Sequence, residues 1–528
     1  MILRMPKYMS LSVACVLLTA SILSCAESET SSAKESTYNE NILRYDVNAP
    51  LTSLDTTKVQ TSGSILVLPL LYSRLFLLNP DGELEPDLAT KWTYDVESHT
   101  WSIHLRKDVL FHNTQPVTAR DVKYSLEAKL KNICPSILSL IDSISTPSDA
   151  ELSIHLKKDY PEFPRKLQDT AIVPHRNGDK TDYYNHPIGS GPFKFAYRKG
   201  ENEVGLVANK DYYDGRPSLD GVVFSYQPDK EKTWTRLLSG RTDIAQEISP
   251  VNFGIMKQYQ QRYYFDCYAM PYYAILLYNT TTPPFSDPNV RRALSYAIDK
   301  HYIVKNILKG LGVVAVGPMG VDSPFHNQHI MPIPYDPKKA LTLLKKAGWS
   351  YDDVGRYLSK EEKRFEFTIL LFEEYQVEKR VAQHIRLCLN DLGIRADLHS
   401  FPHSELIAKY RRNNEFQAVL TEFTCAYRDP EWIRELWAPH LSQKSRAGCF
   451  QHPEVSRLIH NAIEESDPSK QKELFFQVDA LITSLQPGTF LFHKIAIDAM
   501  SRRFSLPLPF ALDQPGIHRL KYASLRSN

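Results

Sequence analysis

Beyond residue 23 the sequence has no run of 18 apolar residues, so nothing after that point has the length to cross a bilayer as a helix. Glycine is sparse, 21 of 528 residues, which excludes a collagenous or glycine-linker protein. Charge of either sign is not in excess: 63 Lys+Arg against 61 Asp+Glu leave +2, with no basic surplus to hold nucleic acid. No CxxC pair occurs, which leaves a zinc ribbon or a thioredoxin-like site without support. Neither GxSxG nor HExxH is present, so an exported hydrolase lacks its motif. What is present is ordinary for a globular body: 42% hydrophobic and 23% charged residues, with tyrosine (29) and proline (34) plentiful. At roughly 150 residues per domain the length predicts about three domains.

The N-terminus carries the first specific signal. Arg4 and Lys7 are the only charges before Glu27, and the apolar stretch Leu11 to Leu23 follows them. A positive start, a short apolar core and small residues form the layout of a secretory signal. The stretch ends Ile22-Leu23-Ser24-Cys25, which resembles the lipobox of bacterial lipoproteins, so cleavage before Cys25 and its lipidation are expected. Residues 1–24 then hold the whole formal charge excess and the mature body is neutral. Residues 25–40 are polar and free of aromatics up to Thr37, and read as an anchor and flexible tether. Apart from Cys15 and Cys25, Cys134, Cys267, Cys388, Cys425 and Cys449 remain, an odd number that permits at most two disulfides of unassigned pairing.

Strand-like and helix-like segments alternate through the rest. Trp101-Ser-Ile-His-Leu-Arg106 alternates apolar with polar residues and predicts a strand. Thr118, with Asp121 three residues on, predicts a capped helix start. Asp287-Pro-Asn-Val and Asp336-Pro-Lys-Lys each predict a helix with proline in its first turn, the second stopped by Gly348. Phe365–Phe372 and Phe416–Phe423 read as strands on either side of a helix near 376–391. This is an α/β pattern without a fixed repeat.

The order of motifs is similar to the family 5 extracellular solute-binding proteins, the peptide-type receptors of bacterial ABC importers. Glu85-Pro-Asp-Leu-Ala-Thr-Lys-Trp is followed by Leu105-Arg-Lys-Asp-Val-Leu-Phe-His-Asn and by Thr118-Ala-Arg-Asp-Val. Pro187-Ile-Gly-Ser-Gly-Pro-Phe, Asn209-Lys-Asp-Tyr-Tyr-Asp-Gly, Leu238-Ser-Gly-Arg-Thr-Asp, Asp287-Pro-Asn-Val-Arg-Arg-Ala-Leu, Tyr335-Asp-Pro and Tyr427-Arg-Asp-Pro-Glu-Trp continue the family's order. One departure is Thr114, where the family has Gly, and the turn there is expected to be built differently. The resemblance implies a periplasmic-binding-protein-like, two-lobed α/β fold of type II with an extra inserted domain. It places domain I at 41–76, 187–279 and 491–528, domain II at 77–186 and domain III at 280–490, with crossings near 279–281 and 489–491.

It also implies a function: capture of oligopeptides or peptide-like ligands between the lobes by hinge closure, and delivery to the permease's transmembrane subunits. The protein is then a monomeric lipoprotein anchored through Cys25 and facing the periplasm, with no catalytic group, metal, cofactor or nucleic acid. A peptide pairs its backbone with strand-like segments in such a site. Here these are Leu420, Glu422, Phe423, Thr424, Ala426 and Tyr427, ending in Asp429, together with a loop around Ser62, Gly63 and Ser64. Peptide-binding members carry an Asp where this chain has Ala426, and that Asp pairs with the peptide's ammonium group. Glu422, which shares strand parity with Ala426, and Asp429, in the following turn, are the candidate substitutes. A nickel-chelate receptor using His326, His329 or His403 is the alternative on the same fold, and a surface adhesin is one of another class.

Overall fold

The computed structural model describes residues 41–528 except 59, 80–82, 134, 161–162, 176–181, 183–184, 426–430, 439–449, 466, 506–516 and 527–528. Cys25, Ala426, Tyr427 and Asp429 therefore lie outside the described residues, as do Cys134 and Cys449.

Two long antiparallel strands, Tyr263–Tyr278 and Gly488–Ser501, form the centre of an 11-stranded sheet. Aromatic and branched residues fill both, which suits strands packed on two faces. On one side the sheet continues through Ile244–Ala245, Ile42–Val47, Gly221–Tyr226, Glu203–Ala208 and Phe193–Lys199. On the other it runs through Ala418–Thr424, Glu366–Phe372 and Arg395–Phe401, while Gly312–Val314 adds to Gly488–Ser501. The central pair keeps register from Tyr263↔Ser501 to Ala269↔Ile495, then breaks, and resumes at Tyr273↔His493. Met270, Pro271 and Tyr272 thus stand opposite Lys494 alone. A proline cannot donate to a ladder and is tolerated where the ladder is interrupted. The Pro271 carbonyl instead accepts from Cys425 N at 2.8 Å and Thr424 Oγ1 at 3.2 Å.

A separate four-stranded sheet, Ala89–Asp95, Thr100–Leu105, Glu151–Leu156 and Ile141–Ser148, carries the helix Ala119–Asn132 over a core of Trp101, Ile103, Leu126, Leu152 and Ile154. That helix starts as its sequence predicts: Thr118 N and Oγ1 each lie 2.7 Å from Asp121 Oδ2. Asp287 and Asp336 cap Pro288–Ala297 and Pro337–Lys346, and Gly348 leaves the latter at φ +88°. The second of these helices and Gln376–Asp391 pack with Ile369, Leu371 and Leu420 in one core. Leu370, Val419 and Phe423, of opposite strand parity, belong to another core with Trp437 and Phe475.

Two sequence expectations are corrected. The turn at Thr114 is not rebuilt: Thr114 takes the left-handed conformation that suits a glycine, at φ 69°, with its N–H on the Phe111 carbonyl at 2.8 Å. Ser62, Gly63 and Ser64 are not a loop but the first turn of a helix, Ser62–Leu71, with Thr61 as its N-cap. Gly63 is required by close packing, because a Cβ there would sit 2.3 Å from the Ala49 carbonyl oxygen. The first central strand ends at Tyr278, just before 279–281, while 489–491 lies inside the second. Tyr272–Tyr278 pairs with Ala418–Thr424, and the central ladder shifts register between Ala269 and Tyr273 and again between Ala274 and Ile275.

Candidate ligand site

Glu422 lies near the end of Ala418–Thr424, opposite Ala274. That strand pairs along seven residues with Tyr272–Tyr278, but with Glu366–Phe372 only at Ala418 and Val419. From Leu420 to Thr424 no described strand covers its far edge. Beside this edge three elements bring charges together. Lys494 comes from the interruption in the central ladder, where a bulge turns a side chain out of the regular alternation. Glu378 comes from the first turn of Gln376–Asp391, where a carboxylate also suits the positive end of the helix dipole.

Lys494 Nζ is 2.5 Å from Glu378 Oε1 and 2.8 Å from Glu422 Oε1. It lies 5.8 Å from the centre of the Tyr272 ring, a cation–π contact. The ion pair with Glu422 is not an aligned hydrogen bond, and Oε1 is shut off from solvent. About a quarter of the side-chain surface of Lys494 (26%) and Glu422 (25%) remains accessible, against 8% for Glu378. Two carboxyls therefore share one partly accessible ammonium. Burial raises the Glu422 pKa above the usual carboxylate range, the neighbouring Glu378 raises it further, and Lys494 opposes both. Burial alone would lower the Lys494 pKa, but Glu422 and Glu378 outweigh it and hold the ammonium charged. Burial, then the Glu422 charge, raise the Tyr272 and Tyr375 phenols.

A second acidic group sits further along the same strands. Asp498 is fully buried and accepts from Glu247 N at 2.9 Å and from Tyr268 Oη at 3.2 Å. Without a cation beside it, burial pushes its pKa up to about 7.

The other sequence-derived candidates are dispersed. Leu420 and Phe423 are each 1% exposed and pack in two different cores, with Phe423 edge-on to Tyr273 and Trp437. Thr424 is exposed, Ser62 is exposed, and Ser64 is buried with its hydroxyl 3.0 Å from Thr61 Oγ1. The histidines do not converge: His326 pairs with buried Asp479 at 3.2 Å, His403 stacks on Phe372, and His329 is exposed. Among the described residues no three His, Cys, Asp or Glu side chains are placed to hold a metal ion. Cys267, Cys388 and Cys425 are free thiols. No described helix is long and apolar enough to cross a membrane.

Glu378 and Lys494 were missed by sequence reasoning. A lone lysine inside the apolar strand Gly488–Ser501 was a usable signal, since a charge there has to face a partner or solvent. Glu378 gave none, because an acid in a first helical turn is ordinary capping chemistry.

Comparison with known proteins places this arrangement. The model of the bacterial extracellular solute-binding proteins, family 5 (middle), matches residues 83–443. The oligopeptide-binding protein AppA of Bacillus subtilis is 27% identical over 440 residues, covering 80% of this chain and 78% of its own. The nickel-binding periplasmic protein of Escherichia coli is 24% identical over 431 residues, covering 79% and 82%. The solved structure of Bacillus subtilis AppA with a nonapeptide matches with a TM-score of 0.75 and 23% identity, over 92% of this chain and 99% of that one, a likeness of fold. The motif order, the two-stranded spine and a family match over most of the chain agree: the chain belongs to the bacterial extracellular solute-binding proteins of family 5, the solute receptors of ABC importers.

Proposed function

We infer that this receptor captures peptides or peptide-like ligands against the open edge of Leu420–Thr424 and passes them to the importer's membrane subunits. The observation that carries the reading is the far edge of that strand, which no described strand pairs from Leu420 to Thr424, with the Glu378–Lys494–Glu422 cluster beside it. Backbone pairing at such an edge gives affinity without demanding a side-chain sequence, and the two acids of the cluster supply a partner for an ammonium group. Glu422 takes the part of the acid absent at Ala426. Similarity to an oligopeptide-binding relative supports the same ligand class.

The lobes of this reading are joined by the two central strands, crossing near 279–281 and 489–491, and the register break at 269–273 opposite Lys494 adds a point where the pair can bend. Bulged, interrupted ladders bend more readily than continuous ones. Cys25 is the lipid attachment point, and the mature protein is held at the outer face of a membrane by that lipid and the tether. Several acyl chains, at about 0.8 kcal/mol per buried methylene, suffice for stable anchoring.

Native mass spectrometry of the mature protein tests the ligand class. Retained masses in the peptide range are expected, together with a thermal shift from a peptide pool. A ligand at 100 times its Kd stabilises by about 2.7 kcal/mol. An empty spectrum with no shift from the pool overturns the peptide reading. A shift with a nickel–histidine chelate instead would favour the chemistry of the nickel-binding relative.

A further inference from the structure

Arginines gather at the end of the large sheet where the described chain begins. The Asn41 carbonyl accepts from Asp220 N at 3.0 Å, and the Ile42 carbonyl accepts from Arg503 Nη2 at 3.1 Å. Around this point Arg502 N donates to the Arg262 carbonyl, Arg526 N to the Arg503 carbonyl and Asp243 N to the Arg44 carbonyl, each at 2.8 Å. Arg241 precedes Asp243 by two residues. The acids bonded into this rim are already engaged by guanidinium groups. Asp243 takes Arg503 Nε at 2.6 Å and Arg44 Nη1 at 3.8 Å, and Asp220 takes Arg216 Nη2 at 2.6 Å. Arg241, Arg262 and Arg526 are exposed and form no ion pair among the described residues. Apolar surface adjoins them. In Pro250–Met256 and the turn Lys257–Tyr259, the exposed side chains Val251, Ile255 and Tyr259 recur every four residues and share one face. A Cβ on Gly254 would meet nothing within 4 Å, so that face is open. The Tyr259 carbonyl accepts from Arg262 N at 2.8 Å, which sets the end of the stripe on the arginine rim.

We propose that this rim, with the Ile255–Tyr259 end of the stripe, is a surface by which the body itself rests on a membrane, its guanidinium groups on the phosphates of an anionic bilayer. Charge complementarity selects that occupant. A guanidinium binds a phosphate through two parallel N–H bonds, and exposed aliphatic and tyrosine side chains beside it suit the boundary between headgroups and acyl chains. The place where the described chain begins selects it again. Only residues 25–40, sixteen positions and at most about 55 Å of extended chain, separate Cys25 from Asn41. A lipid at Cys25 would therefore keep the rim within reach of the bilayer, and a short linker makes a weak second contact effective. One attachment leaves the body free to turn, whereas two hold one side of it toward the membrane. The surface uses none of the residues of the ligand edge and goes beyond the receptor reading, drawing on it only for the lipid at Cys25.

The experiment uses the whole mature chain, residues 25–528, with Cys25→Ser, so that binding reports the body and not an acyl chain. Sedimentation with vesicles of phosphatidylcholine and phosphatidylglycerol at low salt is expected to carry the protein down. Vesicles of phosphatidylcholine alone should not, and salt raised to about 0.5 M should release it. A basic residue at such a surface contributes about fivefold in affinity. Replacing Arg241, Arg262 and Arg526 together by Gln should therefore weaken binding about a hundredfold. The thermal midpoint and the peptides retained should stay as in the wild type, because none of the three belongs to the ligand edge. Ile255→Ser should weaken binding and leave its salt dependence unchanged. Hydrogen exchange on the anionic vesicles should slow at 251–262 and 524–526 and not at 418–424. Failure to bind anionic vesicles, equal binding by the triple variant, or equal binding to phosphatidylcholine alone overturns the proposal and leaves peptide capture untouched. Slowing at the rim by inorganic phosphate at matched ionic strength, as large as that by vesicles, would make it a phosphate site and overturn the membrane contact.

Discussion

Arg291, in the Asp287-Pro-Asn-Val-Arg-Arg-Ala-Leu motif, is 4% exposed and has no acidic partner in hydrogen-bonding contact among the described residues. Its guanidinium spends its donors on main-chain carbonyls: Nε on Gln486 at 2.9 Å, Nη1 on Phe285 at 2.6 Å and Nη2 on Leu485 at 2.9 Å. Leu485 ends the helix Pro468–Leu485 and Gln486 is its left-handed cap, so Arg291 satisfies carbonyls that a helix end leaves open. Next to it Ser295 Oγ reaches Gln486 Oε1 at 2.6 Å and Thr489 Oγ1 at 2.8 Å, and Thr489 meets Tyr278 Oη at 2.7 Å. The motif therefore ties two helices to the end of one central strand and the start of the other. Replacing Arg291 by Met keeps the bulk and leaves three carbonyls unpaired, each costing about 1–3 kcal/mol. Relief from burying a guanidinium, whose pKa burial lowers, offsets part of this. We expect a net loss of about 4 kcal/mol for Arg291→Met and about 2 kcal/mol for Arg291→Lys, whose point charge cannot serve three directions. Urea unfolding at unchanged slope measures the loss, and hydrogen exchange at 482–489 should rise before the rest of the body. A loss below about 1 kcal/mol for Met, or a lysine variant equal to wild type, would refute the capping argument.

Other substitutions test single physical terms. Thr114→Gly removes a left-handed β-branched residue; strain of about 1–2 kcal/mol against a glycine entropy cost of about 0.5–1 predicts a net gain of about 0.5–1 kcal/mol. Thr114→Ala keeps the Cβ and should gain nothing, so equal midpoints for the two would contradict the strain. Gly63→Ala forces a methyl against the Ala49 carbonyl, and overpacking of about 1–3 kcal/mol less the helix propensity gained predicts a loss of about 1–2 kcal/mol. A neutral urea midpoint would return Gly63 to the list of ligand contacts. Asp498 holds its proton to about pH 7 when folded and to about 3.8 when unfolded, so it costs stability as pH rises through that window and most above 7. Asp498→Asn, which can keep both hydrogen bonds, should stabilise by about 2–4 kcal/mol at pH 8 and scarcely at pH 4. A gain independent of pH would point to packing instead.

Local chemistry made much of the fold legible. Thr118–Asp121, Asp287-Pro and Asp336-Pro announced helices that the structure starts at those residues, because capping is decided within four residues of chain. The strands at 100–105, 366–372 and 418–424 were legible from short apolar runs and alternation. Thr114 misled because the sequence shows a missing glycine but not that neighbouring contacts hold a threonine in the glycine's conformation. The loop assigned to Ser62–Ser64 came from the resemblance, and the sequence does not show that Gly63 gives clearance to the Ala49 carbonyl fourteen residues away in a helix's first turn. Glu422 could be named from strand parity. Its partners could not, since Glu378 and Lys494 are 44 and 72 residues distant and meet it only through the sheet order.

That sheet order gives one irregularity three consequences. The central ladder loses register opposite Lys494, and the loss admits Pro271, whose carbonyl then holds the end of Ala418–Thr424 through Thr424 and Cys425. The same interruption aims Lys494 at Glu378 and Glu422 instead of along the regular face. A strand end pinned by Pro271 and a charge cluster capped by Lys494 are thus set by one segment of backbone, the segment where the central pair can bend. A formally neutral body is compatible with this: the near balance of 63 basic and 61 acidic residues says nothing about a cluster where, among the described residues, two acids share one lysine. Overall charge is a sum over the whole chain, and it leaves the sign of such a local cluster free.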